Sequence, residues 1–198
     1  MICPAARSSL RLIKNVLLPA ACFCLSATSS FADPSFLTVA STPYDRQMSP
    51  VSQVLNSSGG ALTGRTSLAK INQWLTALRA IPYRYSLQWK TPLQVSSDPA
   101  ADCKGKAILL YAIMRAHGAR HLRLVIGKRH IANHRTHAWL EWETTQGTLL
   151  LDPTFNTSVE RVSDYDPARY IPHYAYNGAQ KYRAADYRPS YASIVASN

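Results

Sequence analysis

Apolar positions along the chain change their spacing twice, and each change predicts an element. From Leu68 to Leu78 they recur three and four apart (Leu68, Ile71, Trp74, Leu75, Leu78), which is one face of an amphipathic helix. Thr66 or Ser67 can cap it and Pro82 stops it. Residues 103–118 repeat the pattern, with Ala107, Leu110, Tyr111 and Met114 toward a core, Asp102 as N-cap and Gly118 as the terminating glycine. From His121 the period becomes two. Leu122, Leu124 and Ile126 share a face. Thr136 to Glu143 alternates, with His137, Trp139, Glu141 and Glu143 on one face and Ala138, Leu140 and Trp142 on the other. Thr148 to Leu151 is short and apolar, after a turn at Gln146-Gly147. A helix followed by three hairpin-linked strands predicts an α+β fold.

Between these segments the pattern is weaker. Residues 33–65 are rich in Ser, Thr, Pro and Gly and read as an irregular lead-in with one short helix around residues 50–55. Tyr83 to Trp89 suits a short extended segment, and Pro92 and Pro99 bracket a loop. Gly127-Lys128-Arg129 reads as the start of another loop. Residues 156–198 hold seven of the eleven tyrosines, few aliphatics and no clear period. They are expected to wrap a core formed by residues 66–155, with disorder near the end. Their tyrosines would line a substrate groove or form a packed flap.

The segment 1–32 has the pattern of a secretory signal. Arg7, Arg11 and Lys14 precede an apolar run from Val16 to Leu25, and Ser30-Phe31-Ala32 offers small residues at the two positions a signal peptidase reads. The run is too short for a membrane anchor, and no later stretch is apolar enough for a span. A periplasmic or secreted location is the expectation for the mature chain. Three of the 22 Lys and Arg side chains lie in this leader and all 11 acids lie beyond it, so the segment 33–198 carries a net charge of +8. Such a surface suits anionic envelope components. Nucleic acid is a poor partner for an exported chain, and the cations form no long block.

Export makes the cysteines informative. Cys3, Cys22 and Cys24 fall in the leader, which leaves Cys103 without a partner in an oxidising compartment. A buried thiol acting as a small hydrophobe is one reading. The position favours another. Cys103 directly follows the cap of a helix, where free N–H groups and the helix dipole favour a thiolate, the form that attacks carbonyls. The same backbone N–H groups can receive the resulting oxyanion. A base is available in His137 and an acid to orient it in Asp152, which closes an otherwise apolar strand. Cys103, His137 and Asp152 are therefore the candidate catalytic residues.

The same three segments resemble a family. Asp102-Cys103-x-x-Lys106-Ala107-x-Leu109-Leu110, then Thr136-His137-Ala138-Trp139-Leu140-Glu141, then Leu149-Leu150-Leu151-Asp152-Pro153-Thr154 is similar to the core of the transglutaminase-like superfamily, over about residues 66–155. The resemblance implies a papain-like fold, with a nucleophile helix packed on an antiparallel sheet, and a Cys–His–Asp triad acting on a protein or peptide-like substrate without a cofactor. It also implies an upstream Trp or Gln that helps hold the oxyanion, for which Trp89 or Gln88 are the candidates. Gln88-Trp89-Lys90-Thr91-Pro92 resembles the bacterial transglutaminase-like cysteine proteinases, periplasmic enzymes that clip adhesins. That branch carries acids after the nucleophile and binds calcium nearby. Lys104, Gly105 and Lys106 stand here instead, which argues against carrying over the calcium or the adhesin substrate.

Three other readings stay open at this point. The acyl-enzyme could pass to an amine, giving protein cross-linking, rather than to water. The domain could be a non-catalytic binding module that uses its basic face. His130, His134 and His137 could hold zinc with Cys103, although the expectation is that no metal is bound. Trp139 would either wall the cleft or pack in the core, and His117, His121 and His173 are expected at the surface.

Overall fold

A computed structural model describes residues 36–57, 66–166 and 168–188. The signal-like leader, the Ser/Gly stretch at 58–65 and the chain end expected to be disordered lie outside the described residues. Among the described residues, seven strands form one antiparallel sheet: β1 (Phe36–Thr38), β2 (Leu122–His130), β3 (His137–Thr144), β4 (Gly147–Leu151), β5 (Glu160–Arg161), β6 (Arg169–Asn177) and β7 (Gln180–Ala184). Their order across the sheet is β1-β7-β6-β2-β3-β4-β5. The described α-helices are α1 (Ser52–Asn56), α2 (Leu68–Ala80), α3 (Pro92–Ser97) and α4 (Cys103–Ala116). This is the α+β arrangement that the change of period predicts.

Helix α4 packs on one face of the sheet. Ala107, Ile108, Leu110, Tyr111 and Met114 meet Leu122, Leu124, Ile126, Ala138, Leu140 and Leu151 in the main core. Its ends follow the sequence signals. The Asp102 side chain accepts from Gly105 N, and Gly118 adopts φ +81. Gly118 N and Ala119 N return to Arg115 O and Met114 O, the paired bonds of a glycine-terminated helix. Ser67 caps α2 by accepting from Lys70 N.

Lys106 is almost wholly buried. Its Nζ donates to Ile81 O at 2.7 Å and Arg79 O at 3.2 Å. An ammonium on the last carbonyls of α2 satisfies groups that a helix end leaves open, and it ties that end to the start of α4. Burial holds the Lys106 ammonium below its ordinary pKa, and the charge of Asp152 acts in the opposite sense.

The segment 92–97 is a helix rather than the expected loop. Thr91 and Gln94 form a capping box and Pro92 occupies the first turn, where its missing N–H costs nothing. The extended segment expected at 83–89 is reduced to one bridge, Tyr83 to Ala101.

The tyrosine-rich segment also differs from expectation. It does not wrap a finished sheet. β6 pairs with β2 in the interior of the sheet, and β7 pairs with β6. Its aromatic residues are buried on both faces. Tyr174 and Tyr176 join the α4 side, while Tyr170, with Phe36, Tyr165 and Tyr182 beside it, joins Val125, Trp139 and Leu150 on the other. Strands covered on both sides lose the polar alternation that would reveal them. His121 is exposed and His117 half-buried against Trp74. His173 is buried, contrary to expectation, and stacks on Tyr187 with ring centroids 3.9 Å apart. Burial, with help from the Lys128 charge, pushes its pKa down to about 4.

Gly127 lies inside β2 at a bulge, not in a loop. It pairs with Pro172 on one side and stands opposite His137 on the other. A Cβ at this position would come within 2.1 Å of Ile171 O and 2.7 Å of the Trp139 ring. Backbone cannot yield as a flexible side chain can, so Gly127→Ala is expected to cost about 2–4 kcal/mol. Urea unfolding of the variant should show a midpoint well below that of the parent with a similar slope.

Candidate active site

The start of α4 is built around a buried carboxylate. Asp102 accepts from Gly105 N at 3.0 Å and from Ser86 N at 3.2 Å. Lys104 forms an ion pair with the same side chain and donates to Ser86 O at 2.7 Å. These bonds pin the 83–88 segment against the helix. Cys103, the first residue of α4, is a free cysteine with 6% of its surface exposed. Its backbone N–H belongs to the first turn, whose N–H groups have no partner within the helix.

His137 is the first residue of β3 and is placed by the hairpin with β2. Asp152 follows the last residue of β4, and the β3–β4 pairing brings the two side by side. His137 Nε2 and Asp152 Oδ2 are 2.7 Å apart, which leaves Nδ1 as the ring nitrogen able to meet a thiol. The Cys103 side chain lies close enough to His137 to favour the protonated ring. All three predicted residues therefore meet at one point, although a whole helix and strand separate Cys103 from His137 in the chain.

The electrostatics of the group follow from burial and pairing. Burial alone would lower the pKa of His137. The bond to Asp152, the nearby Cys103 side chain and the charges of both outweigh it, and the value rises to about 9. Asp152 has no exposed surface. Burial would raise its pKa, but the bond and charge of His137, the Thr154 N–H and the Tyr170 hydroxyl hold it below the ordinary carboxylate value. Thr154 N reaches Oδ1 at 2.9 Å and Tyr170 Oη reaches Oδ2 at 2.8 Å. The imidazole is also gripped by rings. It stacks on Trp139 with centroids 6.0 Å apart and meets Phe155 at 5.3 Å. Trp139 is completely buried, so it backs the histidine and does not wall a cleft.

Several residues that matter here carry no sequence signal. Tyr170 sits in the segment without a period. Tyr83 is more than half exposed, yet it lies beside Cys103. Burial and the neighbouring Cys103 and Asp102 push the Tyr83 phenol up to about 12. Tyr85, Leu87 and Phe155 are exposed nearby, and the Arg135 guanidinium lies 4.6 Å from the Tyr85 ring. Trp89 is buried in the main core, in the same cluster as Cys103, and Gln88 is exposed. His130 ends β2 and His134 lies in the β2–β3 loop. Among the described residues no group of three or more His, Cys, Asp or Glu is placed to hold a metal ion. No described helix is long and apolar enough to cross a membrane.

No protein-family model matches the chain, and no curated protein matches it by sequence. Solved structures do. Legionella pneumophila LapG in its calcium-bound state aligns with a TM-score of 0.53 at 18% identity, over 76% of this chain and 84% of that one. EGTA-treated LapG gives 0.52 at 18% identity, over 74% and 80%. A further LapG structure gives 0.52 at 17% identity, over 80% and 90%. At such identities the likeness is one of fold. What the chain shares with them is an α+β fold in which helices pack on an antiparallel sheet.

Proposed function

We propose that this protein is an exported thiol hydrolase of the transglutaminase-like class, cleaving an amide or peptide bond. The observation that carries the reading is the His137 ring held between a fully buried carboxylate at 2.7 Å and a thiol at the head of a helix. A buried histidine whose proton is stabilised on both sides suits a thiolate–imidazolium pair.

In this reading Cys103 Sγ attacks the substrate carbonyl carbon. The C–S bond forms as the carbonyl π pair moves to oxygen. The Cys103 backbone N–H receives that oxyanion, and the exposed Tyr83 hydroxyl, beside Cys103, is the candidate second donor. As the C–N bond breaks, His137 returns the proton to the leaving amine. His137 then takes a proton from water, whose oxygen attacks the thioester. The acid departs and the thiol is restored. Asp152 orients the ring throughout. The exposed Tyr83, Tyr85, Leu87 and Phe155 around the pair offer apolar surface to an extended peptide. Export rests on the leader pattern of the segment 1–32.

The residues at the start of α4 do not fit calcium. Asp102 is neutralised by Lys104 and engaged by two backbone N–H groups, and hard cations need several free oxygen ligands. No step above uses a metal.

Three outcomes are expected. Iodoacetamide should alkylate Cys103 rapidly near pH 6, far below the ordinary thiol range near 8.5, and His137→Ala should slow this at least tenfold. An ordinary thiol profile in the parent would overturn the enzyme reading. The alkylation rate should not respond to EGTA or to added calcium.

The third outcome concerns stability. The raised His137 pKa contributes stability that is fully present below about 6.5 and lost as pH rises through about 9. The lowered Asp152 pKa contributes stability present above its ordinary 3.8 and lost in acid. The stability gap between the parent and Asp152→Asn should therefore be widest between about pH 4 and 6.5 and narrow toward pH 9 in denaturant melts.

A further inference from the structure

Asp152 Oδ2 is shared. It takes His137 Nε2 at 2.7 Å and the Tyr170 hydroxyl at 2.8 Å. Thr154 N already serves Oδ1, and Asn156 N donates to the Asp152 backbone carbonyl at 2.9 Å. The carboxylate would thus stay in place without the tyrosine. Even so, Tyr170 is held with unusual firmness. Its backbone has φ +142, a region that side chains with a Cβ rarely adopt. Such strain persists only where the surroundings over-determine it, and it gathers at functional sites. The ring is locked edge-to-face between Trp139 at 5.3 Å and Tyr165 at 5.0 Å. Arg129, from β2, lies close enough to the same hydroxyl to favour its ionised form, against burial and the Asp152 charge. Its guanidinium lies 3.9 Å from the Phe155 ring, and its Nε is buried without a hydrogen-bond partner.

We propose that Tyr170, backed by Arg129, is a positioning residue that sets the strength of His137 as an acid by drawing charge away from Asp152 Oδ2. This rests on the reading of Cys103, His137 and Asp152 as a triad. Tyr170 touches no reacting atom and acts only through the carboxylate.

The chemical reason lies in the step that breaks the C–N bond. There His137 must give its proton to the leaving amine. A fully charged carboxylate in a dry site would hold the imidazolium too tightly. A donor on the same oxygen weakens that hold, and a cation behind the donor weakens it further. Other groups bear on the ring as well. Cys103 faces it from α4, Phe155 from the β4–β5 connection and Trp139 from its own strand. The Lys106 ammonium acts on Asp152 from α4. None of these donates to Oδ2.

The test is the NMR titration of the His137 imidazole in the purified full chain carrying Cys103→Ala, so that the ring titrates without a thiolate beside it. Adding Tyr170→Phe, which keeps the ring, should raise the His137 pKa by about half a unit. Adding Arg129→Gln should shift it the same way by less. A packing role alone would move neither value. A His137 pKa that stays put or falls in both variants overturns the proposal. If Tyr170→Phe fails to fold, Arg129→Gln carries the test alone. The alkylation profile of the parent keeps the two ideas apart. An ordinary thiol there with a raised His137 pKa in the variants removes the triad but not the Tyr170 coupling. An activated thiol with an unmoved His137 removes only the tyrosine.

Discussion

A carboxylate sealed from water must be satisfied by protein, and the site depends on how Asp152 meets that demand. Burial of an unpaired charge would cost several kcal/mol. Here His137 and Tyr170 bond one oxygen, and the Thr154 N–H bonds the other. Those partners come from three places in the chain: the first residue of β3, the second residue of β6 and the turn after β4. Satisfying one side chain therefore fixes the ends of three strands relative to one another. His137 gains its orientation from the same bonds.

The second anchor is the start of α4, and it works by a similar rule with both signs of charge. Asp102 is buried and satisfied by Lys104 and backbone N–H groups. Lys106 is buried and satisfied by two carbonyls at the end of α2. The two lysines that depart from an acidic pattern after the cysteine are thus structural. One neutralises the helix cap and the other joins two helices. Between them Cys103 is presented at a fixed height over the sheet, against His137.

Both faces of the sheet matter to the site. The α4 side supplies the thiol. The other side supplies Trp139 and Tyr170 behind the histidine. A buried Arg123–Glu141 pair at 3.4 Å lies on that same side, with Glu141 also accepting from Trp139 Nε1 at 3.3 Å. Trp139 is therefore held through its ring nitrogen as well as by packing, and the stack against His137 inherits that rigidity. The close approach of β6 to β2 at Gly127 brings Tyr170 into range.

Local parts of the molecule were legible in the chain alone. Apolar spacing, caps and a terminating glycine defined α2 and α4, because these are properties of neighbours a few residues apart. Period-two alternation defined β3, and chain order brought forward Cys103, His137 and Asp152. Other parts depended on contacts between distant segments. The capping box of α3 was written in Thr91-Pro92-Leu93-Gln94 but obscured by Pro92 within it and Pro99 beyond the helix. β6 showed no alternation, because a strand covered on both faces has no polar side to reveal it. Gly127 looked like a breaker until the neighbouring backbone showed why no side chain fits there. Tyr170 and Tyr83 had no signal at all, since an approach to a residue far along the chain leaves no mark on local pattern.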